Sequence, residues 1–295
     1  MGYEFYNALV QIKLIPLPDI FTGKFVSRES LFRDVFESEL LVPVGEIDDN
    51  YAWGIGDTRY ITFDNKWLFG YLYKISYSLD VTTLPYAAHS LREIKNLPDG
   101  IVNKTAFFFN FSTQRIYTHN QYRICKASKS ISQIWRKIFR FRLEGQIIDV
   151  DVQSIPLQEN FYKEMEQLDI IYRAQFDLFG PNFMNEERIK SLISEFDDTN
   201  TDGIGIILKN YLNGLVRDSS DFLEFIRYTL KGGGRGVIKG RDRLTGKTRN
   251  IETDSKTQVI PVSKNLNKEP NDDDIKSTLK EIIEKDKNEK DENQE

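Results

Sequence analysis

The chain of 295 residues has little sulfur and imidazole chemistry: one cysteine, Cys125, and two histidines, His89 and His119. A single cysteine excludes an internal disulfide, so a disulfide-stapled secreted scaffold is excluded and a reducing cytoplasm is favoured. His119 and Cys125, which are separated by five residues and have no second pair of ligands, are too few for a zinc site, which needs three or four protein ligands. We therefore predict no bound metal and no cofactor.

The sequence also lacks any run of roughly 18 apolar residues, the length that spans a membrane. Its first residues, MGYEFYNALVQIKLIP, do not have the order of regions found in a signal peptide. Hydrophobic residues make up 40% of the chain and aromatic residues 13%, which is enough for a sizeable core. We expect a globular cytoplasmic protein without a membrane partner.

The C-terminal segment, residues 263–295, contains no aromatic residue and carries 11 acidic and 7 basic side chains. Its sizeable apolar residues are Leu266, Ile275, Leu279, Ile282 and Ile283. So few apolar groups bury too little surface to offset the entropic cost of ordering the segment. We predict a disordered charged tail over 263–295 that is dispensable for folding.

Hydrophobic periodicity elsewhere predicts strands that alternate with helices, including helices at 86–95 and 185–196. Several strands are predicted in hairpins: residues 51–63 with 66–77, and residues 105–112 with 114–119 around a turn. This alternation calls for sheets with helices packed on them. We predict an α+β fold, with ferredoxin-like or split-βαβ sheets that carry helices on one face. Residues 1–144 form an N-terminal α+β half with hairpins and a basic amphipathic helix, and residues 145–262 form a C-terminal α+β half with a glycine-rich basic hairpin.

The basic amphipathic helix is predicted between residues 128 and 141. Apolar residues recur there at the i, i+3, i+4 and i+7 spacing of a buried stripe, at Ile131, Ile134, Trp135 and Ile138. Cations fall on the other face, at Lys129, Arg136, Lys137 and Arg140. The helix is therefore expected to bury one face and to present a cationic face to solvent.

Basic residues are concentrated in two blocks. Residues 104–143 contain nine Lys or Arg and no Asp or Glu, and residues 231–250 contain seven with Asp242 as the single acid. A surface formed by these blocks would bind an anion, and nucleic acid, RNA or DNA, is the polyanion that such surfaces typically bind. We predict that the contacts are made by Lys129, Arg136, Lys137, Arg140, Arg235, Lys239, Arg241 and Arg243.

Three segments resemble ligand loops. GRDRLTGKT (240–248) has five residues between its first and second glycine, one more than a phosphate-binding loop allows, so nucleotide hydrolysis is not predicted. Asp198–Gly203 begins like a calcium loop, but its twelfth position is Lys209 in place of a bidentate glutamate. The glycines at 232–234 follow a predicted helix, so they favour either a helix C-cap or a loop that lets a phosphate come close.

Two clusters leave a nuclease open as an alternative. Tyr117 and His119 share one face of a predicted strand and, with Arg123, are candidates for metal-independent acid–base catalysis. Asp149 and Asp151 also share a strand face and are candidates for two-metal chemistry. A further alternative is an assembly protein whose cations dock an acidic partner protein. A non-enzymatic protein is favoured, because a sheet with one wet face explains the same polar residues.

The order of the segments resembles an uncharacterised bacterial family known as a domain of unknown function. The segments are FFFNFSTQRIYTH (107–119), the basic helix, a strand–helix–strand unit ending in Gly180-Pro181-Asn182, and the glycine-rich basic hairpin. Members of that family lie near mobile elements and phage-defence genes. The resemblance implies a sensor or accessory subunit of an antiviral defence system that works with a protein partner, and it carries over no catalytic residue.

Overall fold

The fold is that of a computed structural model, which describes residues 3–14, 27–38, 42–43, 51–61, 66–76, 101–121, 123–124, 128–179, 191, 203–253 and 257–291. The chain divides into two units. The first comprises Met1–Val152 and Val259–Glu295, and the second comprises Gln153–Gln258. The helix predicted at 86–95, nearly all of the one predicted at 185–196, and Asp198–Asp202 of the calcium-like segment lie outside the described residues, as do His89 and Cys125.

The first unit contains a large sheet built from strands rich in aromatic and β-branched residues. With strands numbered along the whole chain, they are β1 (Tyr3–Leu14), β2 (Val42–Pro43), β3 (Tyr51–Tyr60), β4 (Trp67–Ser76), β5 (Ile101–Asn110), β6 (Arg115–His119), β7 (Ile147–Ser154) and β12 (Val259–Val262). Their order is β12-β1-β6-β5-β4-β3-β2, and β7 also pairs with β1. The neighbours along this order are antiparallel, and the two predicted hairpins, β3–β4 and β5–β6, are confirmed.

Two helices, α1 (Arg28–Glu37) and α2 (Ser128–Arg142), pack on one face of this sheet. The Ser27 hydroxyl caps α1 by accepting a hydrogen bond from the Ser30 amide at 3.1 Å. The predicted apolar stripe of α2 is confirmed, because Ile131, Trp135 and Ile138 are buried and Ile134 is half-buried. The three consecutive phenylalanines of β5 divide between the two faces, with Phe107 and Phe109 under the helices and Phe108 on the opposite side.

The opposite face of the sheet is covered by the C-terminal segment. Helix α5 (Asp272–Asp291) contributes Ile275, Leu279 and Ile282, and the residues before it contribute Leu266, all buried against aromatic side chains of the sheet. The prediction of disorder from residue 263 onward is therefore wrong for residues 263–286. The apolar residues of α5 form a stripe at i, i+4 and i+7. They are stabilised by packing on the aromatic face of the sheet, which is formed by residues outside the C-terminal segment.

The second unit has a four-stranded sheet with a split-βαβ connection. It contains α3 (Gln158–Glu166), β8 (Leu168–Phe179), β9 (Gly203–Lys209), α4 (Ser220–Tyr228), β10 (Gly234–Asp242) and β11 (Thr248–Glu252), in the strand order β11-β10-β8-β9. Strand β8 is antiparallel to both β9 and β10, so these two are parallel to each other and are joined by α4. Both helices share one core with the sheet, and the predicted α+β fold class is confirmed.

The glycines that follow α4 serve packing. Gly232 has a φ of 91°, a conformation that glycine adopts without strain, and it ends the helical turn. A side chain at Gly233 would clash with the Tyr228 ring, and one at Gly234 would clash with the backbone of Asp177. All three glycines are buried, which supports the helix C-cap interpretation over a phosphate-contacting loop.

The division between the units differs from the one predicted at residues 144 and 145. Strand β7 pairs with β1 and therefore belongs to the first unit, which extends to Val152. After the second unit the chain returns, because β12 pairs with the beginning of β1 and α5 follows it. None of the helices in the described part of the chain is long and apolar enough to cross a membrane.

Candidate nucleic-acid interface

The predicted cationic face of α2 is largely paired with carboxylates of β7. Arg140 donates from Nε to the Asp149 carboxylate at 2.7 Å, and Arg136 lies 3.6 Å from Asp149 and 3.8 Å from Asp151. Burial acts to raise the pKa of Asp149, but the hydrogen bonds from Arg140 and the Val150 amide and the charges of Arg140 and Arg136 together outweigh it, so the pKa lies below its ordinary value. Lys137 is exposed, and the Lys129 side chain lies outside the described residues. These ion pairs weaken α2 as an anion site.

The ion pairs of Asp149 and Asp151 also bear on the alternative of a two-metal nuclease. The oxygens of Asp149 and Asp151 also accept hydrogen bonds from the backbone N–H groups of Val150 and Val152, at 2.8 and 3.0 Å. No group of three or more His, Cys, Asp or Glu side chains suited to a metal occurs within the described ranges. The carboxylate oxygens that a metal ion needs are therefore already bound by arginine and backbone donors.

The proposed acid–base pair on β6 lies in the core, where Tyr117 is 2% exposed and His119 is 5% exposed. Burial raises the pKa of Tyr117 above its ordinary value and lowers the pKa of His119 to about 4. The Nδ1 atom of His119 lies 2.9 Å from the side-chain amide of Asn267. Arg123 is exposed, so the three candidates do not form one accessible site of the kind that acid–base catalysis on a polynucleotide needs.

The two faces of the sheet in the second unit differ, because only one of them is covered by the helices α3 and α4. Alternate residues of its strands pack against α3 and α4, and the residues between them point to the opposite side, which we call the outer face. The outer face carries, strand by strand, Gly205, Ile207 and Lys209 on β9, Arg173, Gln175 and Asp177 on β8, Arg235, Val237 and Lys239 on β10, and Asn250 and Glu252 on β11.

Three cations lie side by side across this face. Lys209 is directly opposite Arg173, and Arg173 is directly opposite Lys239; we call these three residues the cation row. The two lysines are exposed and the arginine is half-buried. Since neighbouring strands are about 4.8 Å apart, the row extends over about 10 Å. Like charges in directly opposite positions repel each other, so a bound anion would relieve an unfavourable interaction.

No carboxylate forms an ion pair with the cation row in the described part of the chain. Arg173 donates instead to the Gln175 side-chain oxygen at 2.9 Å. Two of the acids nearby are paired with other cations: Glu252 lies 2.9 Å from Arg235, and the Asp169 carboxylate accepts from Nε of Arg241 at 3.1 Å. The third, Asp177, accepts from the Gln175 side-chain amide at 3.5 Å. The row is therefore the part of the outer face with uncompensated positive charge.

The structure thus separates the predicted contact residues. Lys239 lies at one end of the cation row, whereas Arg235 and Arg241 are held in ion pairs on the same face and Arg243 is exposed in the turn between β10 and β11. The sequence-based prediction missed Arg173 and Lys209. Alternation in YRAQFD indicates that Arg173 faces away from the core, but only the strand register brings it between two lysines.

Comparison with models of known protein families gave no match for this chain, and comparison with curated protein sequences gave none. Function is therefore inferred from the geometry of the chain itself.

Proposed function

We propose that the protein binds single-stranded nucleic acid, without catalysis, through the outer face of its second sheet. The cation row carries the proposal, because Lys209, Arg173 and Lys239 are adjacent and have no carboxylate partner among the described residues. Phosphates of a polynucleotide laid across the strands would neutralise this charge and release the counterions that surround the nucleic acid. The α2 face contributes less, since Arg136 and Arg140 are paired with β7.

The side chains beside the row suit unpaired bases. Asn250 extends the row on β11 opposite Lys239, and Gln175 lies next to Arg173 on β8. Both amides can donate to and accept from base edges. Ile207 and Val237 lie opposite Gln175 on its two neighbouring strands and offer apolar surface to the bases. A single strand exposes its bases to such groups, whereas the bases of a duplex are stacked inside it, so a single strand is the favoured ligand.

Binding of a fluorescently labelled oligonucleotide of about 12 nucleotides, followed by anisotropy with single-stranded DNA, single-stranded RNA and duplex DNA, tests the proposal. The variant R173Q/K209Q/K239Q is expected to lose affinity on the order of tenfold or more. The matched control K163Q/R227Q/K231Q removes the same charge from exposed residues on or directly after α3 and α4, and it should bind almost as the unmodified protein does.

An equal loss of affinity in both triple variants, or no binding of the unmodified protein to any single strand, would contradict the proposal. Preference for duplex DNA would refute the single-stranded ligand. Competition by polyglutamate but not by oligonucleotide would indicate an acidic protein partner instead. We also propose a wider setting, in which the protein is a cytoplasmic sensor or accessory subunit of bacterial antiviral defence and works with a protein partner. The resemblance of the sequence to the uncharacterised bacterial family supports this role, and the single cysteine supports a reducing cytoplasm.

A further inference from the structure

Strand β9 lies at the edge of the second sheet and, within the described ranges, pairs on one side only, with β8. Its pairing with β8 is regular over all seven residues, Gly203–Lys209. An edge strand offers backbone N–H and C=O groups to a further strand unless a proline, a bulge or inward-pointing charge prevents it. The sequence GIGIILK contains none of these, and its one charge is at the last position.

Exposed apolar side chains lie on and directly after this strand. They are Ile207, Tyr211, Leu212 and Val216, which are exposed by 48, 63, 91 and 73%. Such a concentration next to an unprotected sheet edge is typical of a protein–protein contact. The core-facing residues Ile204, Ile206 and Leu208 are only half-buried and pack at the rim of the core.

We infer that two copies of this chain associate through β9, paired antiparallel about a two-fold axis at Ile206. With the axis at Ile206, each of the seven residues of β9 lies opposite a residue of β9 in the second copy. Ile204 then faces Leu208 of the second copy, so the half-buried residues extend the core of each copy. Gly205 faces Ile207 of the second copy and leaves room for its side chain. Lys209 faces Gly203, so the lysines of the two copies are not opposite each other.

Because the two-fold axis is perpendicular to the sheet, equivalent residues of the two copies lie on the same face of the joined sheet. The dimer therefore has one continuous sheet of eight strands, with the helices α3 and α4 of both copies on one side and two cation rows on the other. The association itself requires only the edge strand and its apolar neighbours, so it stands independently of nucleic-acid binding.

A charge-pairing experiment on the full chain tests both the interface and its register. A Cβ atom at Gly205 would lie 3.6 Å from the Asp177 carboxylate, so a side chain fits there. In G205K/I207K, like charges face each other twice across the proposed interface. In G205K/I207E, opposite charges face each other at the same positions.

Sedimentation velocity should give about twice the chain mass of 34.4 kDa for the unmodified protein and for G205K/I207E, and the monomer mass for G205K/I207K. A monomeric unmodified protein at every concentration, a dimer that survives G205K/I207K, or loss of the dimer in both variants would overturn the inference.

Hydrogen exchange of the unmodified protein gives a second test that needs no folded variant. Amides of residues 203–209 should become more protected as protein concentration rises, and protection independent of concentration would overturn the inference too.

Discussion

The guanidinium of Arg115 on β6 lies 2.6 Å from the carboxylate of Asp286 on α5, and each side chain is only 11% exposed. Asn7 on β1 donates to the same carboxylate at 3.3 Å. Burial acts to lower the pKa of Arg115, but its contacts with Tyr117 and Asp286 outweigh this and raise the pKa. The buried ion pair joins the C-terminal helix to β6 and the Asn7 hydrogen bond joins it to β1, so α5 is an integral part of the first unit.

Replacing Asp286 with Asn should destabilise the protein by about 3–5 kcal/mol, because Arg115 would keep a buried charge without its counter-charge. Chemical denaturation measures the change in the free energy of unfolding. The matched control is Glu284→Gln on the exposed side of the same helix, which should change stability by less than about 1 kcal/mol. Equal effects of the two substitutions would show that the buried ion pair does not hold α5.

Truncation after Val262 should greatly lower the melting temperature or prevent folding. It removes Leu266, Ile275, Leu279 and Ile282 from the core, and each buried aliphatic side chain contributes about 1.5–3 kcal/mol. It also removes Asp286, the partner of Arg115. Truncation after Asp291 is the control, since it keeps all of these contacts. A melting temperature unchanged by truncation after Val262 would mean that α5 does not dock on the sheet.

The fold class and the positions of many helices and strands in the sequence could be predicted from local patterns. The stripe of α2 and the hairpins β3–β4 and β5–β6 depend on residues close in sequence, so periodicity and turn residues are sufficient for them. The docking of α5 could not be predicted this way. Its three apolar residues gain stability only against the aromatic face formed by Phe69, Phe108 and Tyr117, which lie far away in sequence.

Acidification should destabilise the protein through His119. Burial lowers its pKa to about 4 in the folded state, against about 6.5 in the unfolded chain. The unfolded state therefore binds the proton more readily, so this stability is fully present above about pH 6.5 and is lost as the pH falls towards 4. Protonation would also oppose the contact of His119 Nδ1 with the Asn267 amide, because both nitrogens would then be donors.

Comparison of the free energy of unfolding at pH 7.5 and pH 5 measures this effect. The unmodified protein should lose about 2 kcal/mol more than His119→Gln, which has no imidazole to protonate. An equal loss in the two proteins would mean that His119 titrates normally in the folded state.

Trp135→Ala should cost about 3–5 kcal/mol, the range for removal of a large buried aromatic side chain. Its indole N–H donates to the Thr118 hydroxyl at 2.9 Å, so the substitution also leaves that hydroxyl without its partner. Trp135→Phe keeps much of the packing and should cost clearly less. Thermal or chemical unfolding of the two variants compares them, and a cost below about 1 kcal/mol for Trp135→Ala would contradict the packing of α2.

The candidate site was only partly accessible to prediction from sequence. The basic block at 231–250 includes β10, where Lys239 is part of the cation row. Charge counts could not show that Arg235 and Arg241 have carboxylate partners, because Glu252 and Asp169 lie on neighbouring strands. Strand register is a long-range property, and it decides which cations keep an uncompensated charge.

The slope of log affinity against log salt concentration for a single-stranded oligonucleotide tests the central claim most directly. Each phosphate contact contributes about 0.7 to this slope, so R173Q/K209Q/K239Q should reduce it by about 2. The control R235Q/R241Q changes two cations of the same face that are already paired with Glu252 and Asp169, and it should leave the slope nearly unchanged. A slope that the triple variant leaves unaltered, or that the control reduces equally, would contradict binding through the cation row.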